Sequence, residues 1–436
     1  MTVFSVKRMN LRFLSPTFWV SMMFAACSLI YILGFNKMLS DISYKTLFVI
    51  AGAIIVMALG EIAAVGLNAS KKQKASYIRQ PSKEIAISKG VTVLLTVVFL
   101  IVALVRLRNL WISAEAYSGK RISGIMELLS VARWMIISDS SISLSNIVFN
   151  QLVYASEIAT YVFLFVYMYN LMICKKSRPH LLLPLIPDII LRLVTTGRTP
   201  FITLIFAIIV IYIYLMQRMN KNPLRVPFKL ILLIILFLVA FFAYGFARNK
   251  VSDFSIIEYL QAYTSSALYA FDKFIVNGWD ANPYFGYYTL QGIYDLFNIK
   301  HSVVPGIKPF MVFSTSGKSS NIYTFLFTTI QDYGIAGMLV LRFIEFFILA
   351  KIVHYFANKD TDSAGFYTSI IFAIFALRCC LYAPIEDSIT SFFTTPDLML
   401  RYLVYGYIMI KLAIKPHYRT VTSKRLRGYN KNIVRV

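Results

Sequence analysis

Residues 182–206 read LLPLIPDIILRLVTTGRTPFITLIF. Apolar side chains run through this stretch continuously rather than alternately, which argues for buried helix and against the alternating strands of a membrane barrel. Pro184 and Pro187 lack amide donors and loosen the helix as it enters. Asp188 and Arg192 are four residues apart, share a helix face and can pair. Gly197 permits a tight break, Arg198 sits in that break, and Pro200 suits the first turn of the helix that follows. Charges inside so apolar a run are costly in a bilayer and point to function.

Working outward, the same apolar character recurs along the whole chain. Of its 436 residues 58% are hydrophobic and 15% charged, with a mean hydropathy of +0.67. A soluble domain carries about 25% charged residues, so this chain lacks the charge to cover a water-facing surface. Several stretches are long enough to span a bilayer, which excludes a soluble enzyme on a single anchor. We read ten helices, over 17–34, 44–67, 90–105, 147–173, 181–195, 199–217, 230–246, 333–356, 364–381 and 397–414. The expectation is an all-α polytopic membrane protein of about ten transmembrane helices, with residues 1–436 forming one integral membrane domain.

The net charge of +24 would point to nucleic acid in a soluble protein, but here it is segregated along the chain. Lys7, Arg8 and Arg12 begin the series. Lys71, Lys72 and Lys74 belong to the segment 68–89, followed by Lys175, Lys176 and Arg178, then Arg218, Lys221, Arg225 and Lys229. Lys351 and Lys359 come next, and a basic tail over 415–436 ends the chain. The positive-inside rule places these segments, and both termini, in the cytoplasm, so nucleic acid is not an expected partner. Two long loops then face outward, 106–146 and 247–332, with helical patches in both; 35–43 and 382–396 complete that face. No cleavable signal peptide is expected. The four cysteines have no metal-ligand spacing, the four histidines are scattered, and no nucleotide loop or paired metal carboxylates are present, so neither metal nor cofactor is expected.

Five arginines and no lysines occupy the outer ends of the helices: Arg192, Arg198, Arg248, Arg378 and Arg401. A guanidinium fork matches phosphate oxygens two at a time, so the set suits an anionic headgroup such as a lipid pyrophosphate. The bland alternative is that each arginine snorkels alone to ordinary lipid. A second informative stretch, SSNIYTFLFTTIQDYGIAGMLVLRFIEFF at 319–347, brings Asn321, Tyr323, Thr324, Gln331, Asp332 and Tyr333 to the approach of an apolar helix. Asp332 is either a base raised by partial desolvation or simply the acid that starts a helix. Gly334 and Gly337 favour close approach of a neighbouring helix, and Arg342 with Glu345 reads as a structural ion pair. Tyrosines of the second outer loop, among them Tyr284, Tyr287 and Tyr288, form an interfacial belt or a sugar-stacking surface. Asp272, Asp332, Glu386 and His301 all remain open as bases.

The helix number, the TTGRTPFI break and a long outer loop ending in NIYTFLFTTIQDYGIAG together resemble the bacterial oligosaccharide repeat-unit polymerases, the O-antigen polymerase (Wzy) family. The resemblance implies a GT-C-like membrane glycosyltransferase of the bacterial inner membrane whose active site faces the periplasm. Its substrates would be undecaprenyl-pyrophosphate-linked glycans in the membrane lipid, a growing glycan passing from its carrier to an incoming lipid-linked repeat unit. It also implies a chain-length regulator as partner. On that reading Arg192 and Arg198 stabilise the leaving pyrophosphate, with Arg248, Arg378 and Arg401 beside them. Asp332 takes the acceptor proton, and Asn321, Tyr323 and Thr324 contact glycan. The rival readings are an O-antigen ligase and a flippase for the lipid-linked unit.

Overall fold

The computed structural model of the protein describes residues 13–34, 38–66, 84–137, 147–195, 199–219, 221–223, 256–280, 282–306, 308–315, 317, 319–358 and 364–413. These residues are mostly helical. In chain order they form α1 (Pro16–Leu33), α2 (Tyr44–Gly66), α3 (Lys89–Ser118), α4 (Ile125–Ile137), α5 (Ile147–Met172), a 3-10 turn (Pro179–Leu182), α6 (Leu185–Val194) and α7 (Thr199–Arg218). There follow α8 (Ile256–Tyr263), α9 (Ser265–Asn277), α10 (Gln291–Leu296), the strands β1 (Met311–Val312) and β2 (Ser319–Ser320), α11 (Phe325–Asn358), α12 (Ala364–Tyr382), α13 (Ser388–Thr394) and α14 (Pro396–Ala413). Within α1, α2, α3, α5 and α7 lie five stretches long and apolar enough to cross a membrane.

Two expected boundaries move. The helix expected to stop at residue 105 continues as α3 to Ser118, so the first part of the 106–146 loop is helix. Arg106 and Arg108 are good helix formers and do not break it; the stop comes at Gly119, in the left-handed conformation at φ 65°. Likewise α11 starts at Phe325, not 333, and runs across a kink at Gly334 (φ 68°, ψ −179°), a backbone conformation open to glycine alone. The helix expected over 230–246 lies outside the described residues.

The chain divides into two compact units. The first comprises Met1–Ala75, Val251–Asn358 and Phe372–Leu400. Here α1 begins with Ser15 as N-cap, its hydroxyl oxygen accepting from Phe18 N (3.1 Å), and with Pro16 in the first turn. Glu61 of α2 accepts from Ser15 Oγ (2.9 Å) and Thr17 N (3.1 Å), so a buried carboxylate faces the positive end of α1. α2 lies along α11 and comes close to it at Gly60, where an added Cβ would fall 2.4 Å from the carbonyl oxygen of Phe343. The expected close approach at Gly334 and Gly337 is not there: Gly334 is the kink, and a Cβ on Gly337 would meet Tyr333 of its own helix. β1 and β2 form a short antiparallel hairpin, Met311 opposite Ser320.

The second unit comprises Ser76–Lys250, Lys359–Ile371 and Arg401–Val436. Its α4 is an amphipathic helix packed on α3, with Leu128, Ala132 and Met135 joining Leu110, Ala114 and Val194 in one apolar cluster while Trp134 stays exposed. On the basic side, the Asn170 side chain pairs with both the N–H and the C=O of Ile85 (3.0 and 2.8 Å). Glu84 bridges to Lys176 (2.9 Å) and Arg178, and these cations hold its carboxyl below the usual carboxylate range.

Candidate functional site

In the first unit, the polar residues ahead of the Gly334 kink organise the loop over 280–306. Asp332 accepts from Tyr288 N (3.0 Å), Thr289 N (2.8 Å), Thr289 Oγ1 (2.7 Å) and the Asn282 side-chain amide. Tyr333 pairs with the Thr289 hydroxyl (2.6 Å), and Gln331 donates to Asp280 O (3.0 Å) and Asn282 Oδ1 (3.2 Å). Both oxygens of Asp332 are thus engaged, one of them by three donors. These donors make Asp332 the anchor of the loop, while partial burial outweighs them and raises its carboxyl above the usual carboxylate range.

Around this anchor runs a chain of ring contacts. Trp279 stacks on Phe274 (5.1 Å between centroids), Phe274 meets Phe327 edge-on (4.7 Å), and Phe327 touches Tyr323 (4.3 Å) and Tyr288 (5.9 Å). Tyr284 stacks flat on His301 at 3.6 Å. Trp279 and Phe285 keep 36% and 70% of their surface open, faces that a pyranose ring could cover. Tyr323 itself is buried, its hydroxyl donating to Pro309 O (3.0 Å) and pushed up to about 12 by desolvation. Thr324 is wholly buried, so of the expected glycan contacts only Asn321 keeps partial exposure. Lys308 holds its ammonium over the rings of Phe327 (5.4 Å) and Tyr323 (6.0 Å), where burial lowers its affinity for a proton.

Deeper in the same unit, Arg342 is 0% exposed, and both of its terminal nitrogens are engaged. It pairs with Glu345 and Asp387, donates to Thr390 Oγ1 (3.1 Å), Thr329 Oγ1 (3.1 Å) and Phe325 O (2.6 Å), and lies over the Phe325 ring. The expected Arg342–Glu345 pair is present, within a larger lock that fastens α13 to the start of α11. Asp387 also caps α13 through Thr390 N (3.1 Å). Phe325 N donates to Ala383 O (2.8 Å), seating the 383–387 turn beside the NIYTF segment. Of the other carboxylates, Asp272 caps the start of α2 with one oxygen, Oδ1, which accepts from Ser43 N, Ser43 Oγ and Thr46 Oγ1, each at 2.7 Å. Glu386 is exposed and takes one contact, from Ser388 Oγ.

Protein-family models, curated proteins and solved structures give no match to this chain. The site therefore rests on its own geometry. Among the described residues, no group of three or more His, Cys, Asp or Glu side chains is placed to hold a metal ion.

In the second unit, Asp188 and Arg192 pair as the spacing predicts, Nε to Oδ2 at 2.8 Å. Arg192 is 3% exposed and also reaches Tyr161 OH (3.2 Å), Glu157 Oε1 (3.4 Å) and Pro200 O. These contacts join α6 to the first turn of α7 and hold the guanidinium inside the unit. Arg198 and Arg248 lie outside the described residues. Arg401 stands over the Tyr154 ring (4.9 Å), and in the first unit Arg378 stands between the rings of Phe375 and Tyr382 (5.8 Å each).

Sequence reasoning passed over Glu61, Glu157, Arg106 and Lys308. The first three were signalled by an ionisable residue inside an apolar run. Lys308 carried no sequence signal, because its aromatic seat is built from residues brought together only by folding.

Proposed function

We propose that this chain polymerises undecaprenyl-pyrophosphate-linked oligosaccharide repeat units into O-antigen or a similar surface polysaccharide. It would work on the periplasmic face of a bacterial cytoplasmic membrane, as a GT-C-like glycosyltransferase of about ten spans with both termini in the cytoplasm. The observation that carries the reading is how the stretch NIYTFLFTTIQDYG, on which the family resemblance rests, is used: its Asp332, Tyr333 and Gln331 hold Asn282, Tyr288 and Thr289 beside Phe285, which stays 70% exposed. Such a surface suits a glycan, whose ring faces stack on aromatics while its hydroxyls bond to amides.

In the reaction, a hydroxyl of the acceptor repeat unit attacks the anomeric carbon of the donor glycan. The new carbon–oxygen bond forms as the bond to pyrophosphate breaks, and the leaving group departs with the electron pair. The hydroxyl proton needs a carboxylate: Asp332, raised by partial burial, is the first candidate, and the exposed Glu386, beside the NIYTF segment through the 383–387 turn, is the second. Cations holding the pyrophosphate neutralise the charge that develops on it, the largest contribution in many such steps. A chain-length regulator is the partner this activity would call for.

The test is a gel of surface polysaccharide from a deletion strain and from the same strain complemented. Core carrying one repeat unit, restored to a ladder on complementation, supports the polymerase. Bare core with polymer accumulating on the carrier lipid overturns it in favour of a ligase, and bare core without periplasmic polymer in favour of a transporter.

A further inference from the structure

Beside the aromatic surface, the second outer loop carries a strip of large apolar side chains that the fold leaves open. Leu296, Phe297, Ile299, Val303, Val304 and Phe310 are all exposed, Phe297 by 68%, Val304 by 69% and Phe310 by 65%. The backbone of the strip is fastened to the aromatic cluster at two points. Tyr287 OH donates to Val304 O (3.1 Å), and Tyr323 OH donates to Pro309 O (3.0 Å). The side chains are thus held open by folded structure, and an apolar surface held open marks a place made to meet something apolar.

Position says what that is. Leu39, in the link between α1 and α2, donates its N–H to Phe313 O (3.1 Å), and Met38 bridges Ser314. The strip therefore leads into the ends of two helices apolar enough to cross a membrane, and all of these residues belong to the first unit. Ile32, Leu33, Leu39, Tyr44 and Phe48 are exposed at those same helix ends. The open apolar side chains of the two spans are followed, across the Leu39–Phe313 bond, by those of the strip.

Charge agrees with position. From 296 to 331 the chain has Lys300, Lys308 and Lys318 and no Asp or Glu. Lys300 is exposed within the strip. Lysines are disfavoured on the outer side of a bacterial membrane, so an acid-free run of them there calls for anionic headgroups, each lysine gaining about 1 kcal/mol near such a surface. Apolar side chains interleaved with lysine are the composition of a segment that lies in the membrane interface. The backbone limits the depth. Irregular chain has N–H and C=O groups that hydrocarbon cannot satisfy, so only the side chains reach below the headgroups.

We infer that this strip lies on the outer leaflet of the membrane, with Phe297, Val304 and Phe310 among the upper acyl chains and Lys300 among anionic lipid headgroups. Through Tyr287 and Tyr323 it fixes the aromatic surface just above the bilayer, where a lipid-linked glycan presents its first sugars. The strip does not rest on the polymerase reading, although that reading gives its height a purpose.

The test uses the full chain in nanodiscs of phosphatidylcholine and phosphatidylglycerol, both faces of which are open to solvent. With the native cysteines replaced by alanine, Phe297→Cys, Val304→Cys and Phe310→Cys are labelled one at a time with a nitrobenzoxadiazole probe. Lys120→Cys, whose site is an exposed turn, gives the water reference. Labelled proteins that elute as the unmodified chain does are compared. All three probes should lose the iodide quenching seen at Lys120→Cys and gain quenching by lipid spin-labelled near its headgroup. Iodide quenching at any of them equal to that of Lys120→Cys puts the strip in water and overturns the inference. Shielding from iodide without quenching by lipid means that protein covers the strip, another part of this chain or a second copy, and overturns it as well. Neither result moves the polysaccharide gel, so the strip and the polymerase reading fail separately.

Discussion

Asp332 and Arg192 show how far a charged residue's neighbours decide its work. In the folded chain both hold neighbouring segments together through several hydrogen bonds. Replacing Asp332 by Asn keeps one acceptor oxygen for the Tyr288 and Thr289 donors and turns an NH2 toward the Asn282 amide, so one donor faces another; each donor left unmatched costs about 1–3 kcal/mol. We expect Asp332→Asn to speed limited proteolysis within 280–306 and to shorten the polysaccharide ladder in step. A variant with wild-type proteolysis and no ladder would fix the role of base on Asp332. For Arg192, removing the cation alone as Arg192→Met strands Asp188 in an apolar wall and should cost about 3–5 kcal/mol, read as a fall in melting temperature in detergent. Asp188→Leu with Arg192→Met removes both charges and should recover much of that loss; a double variant no more stable than the single would refute the pairing. The Asp188–Arg192 and Arg342–Glu345 pairs were legible because their spacings are local. Their further partners were not, since Tyr161 and Asp387 lie 31 and 45 residues away.

Helices were read well where apolar runs ended at a turn, and poorly where a mixed sequence still favoured helix. α1, α2 and α12 fall within a residue or two of expectation, whereas FLFTTIQ, polar enough to pass for loop, is the first part of α11. Glycines were the least legible signal, because the same residue can end, bend or admit a helix. Gly60 admits one: its Cα faces the backbone of Phe343, and an added Cβ would sit 2.4 Å from a carbonyl oxygen that no rotamer change can move. Gly52, on the same helix, would meet nothing within 4 Å. Gly60→Ala should therefore lower the melting temperature by forcing α2 and α11 apart, while Gly52→Ala should hold or raise it, since alanine gains about 0.5–1 kcal/mol over glycine inside a helix. Equal effects at the two positions would show that α2 and α11 do not meet at Gly60.

For the whole molecule, the charge pattern makes the strongest claim. Transferring a loop as basic as 68–89 or 415–436 outward is disfavoured, so the segment that holds Glu84, Lys176 and Arg178 should lie in the cytoplasm, and the turn at Lys120 should lie across the membrane from it. Lys120 and Lys176 are suitable reporters, their side chains being 64% and 58% exposed. With the native cysteines replaced by alanine, Lys120→Cys and Lys300→Cys should react with a membrane-impermeant maleimide in intact spheroplasts, and Lys176→Cys only after permeabilisation. Between Lys120 and Lys176 the chain has the amphipathic α4, which suits the interface, and the apolar α5, so opposite sides mean a single crossing by α5. Labelling of Lys176→Cys in intact spheroplasts would reverse the topology. It would turn the aromatic surface around Trp279 to the cytoplasm, where lipid-linked repeat units on the outer leaflet could not reach it, and the polymerase reading would fall with it.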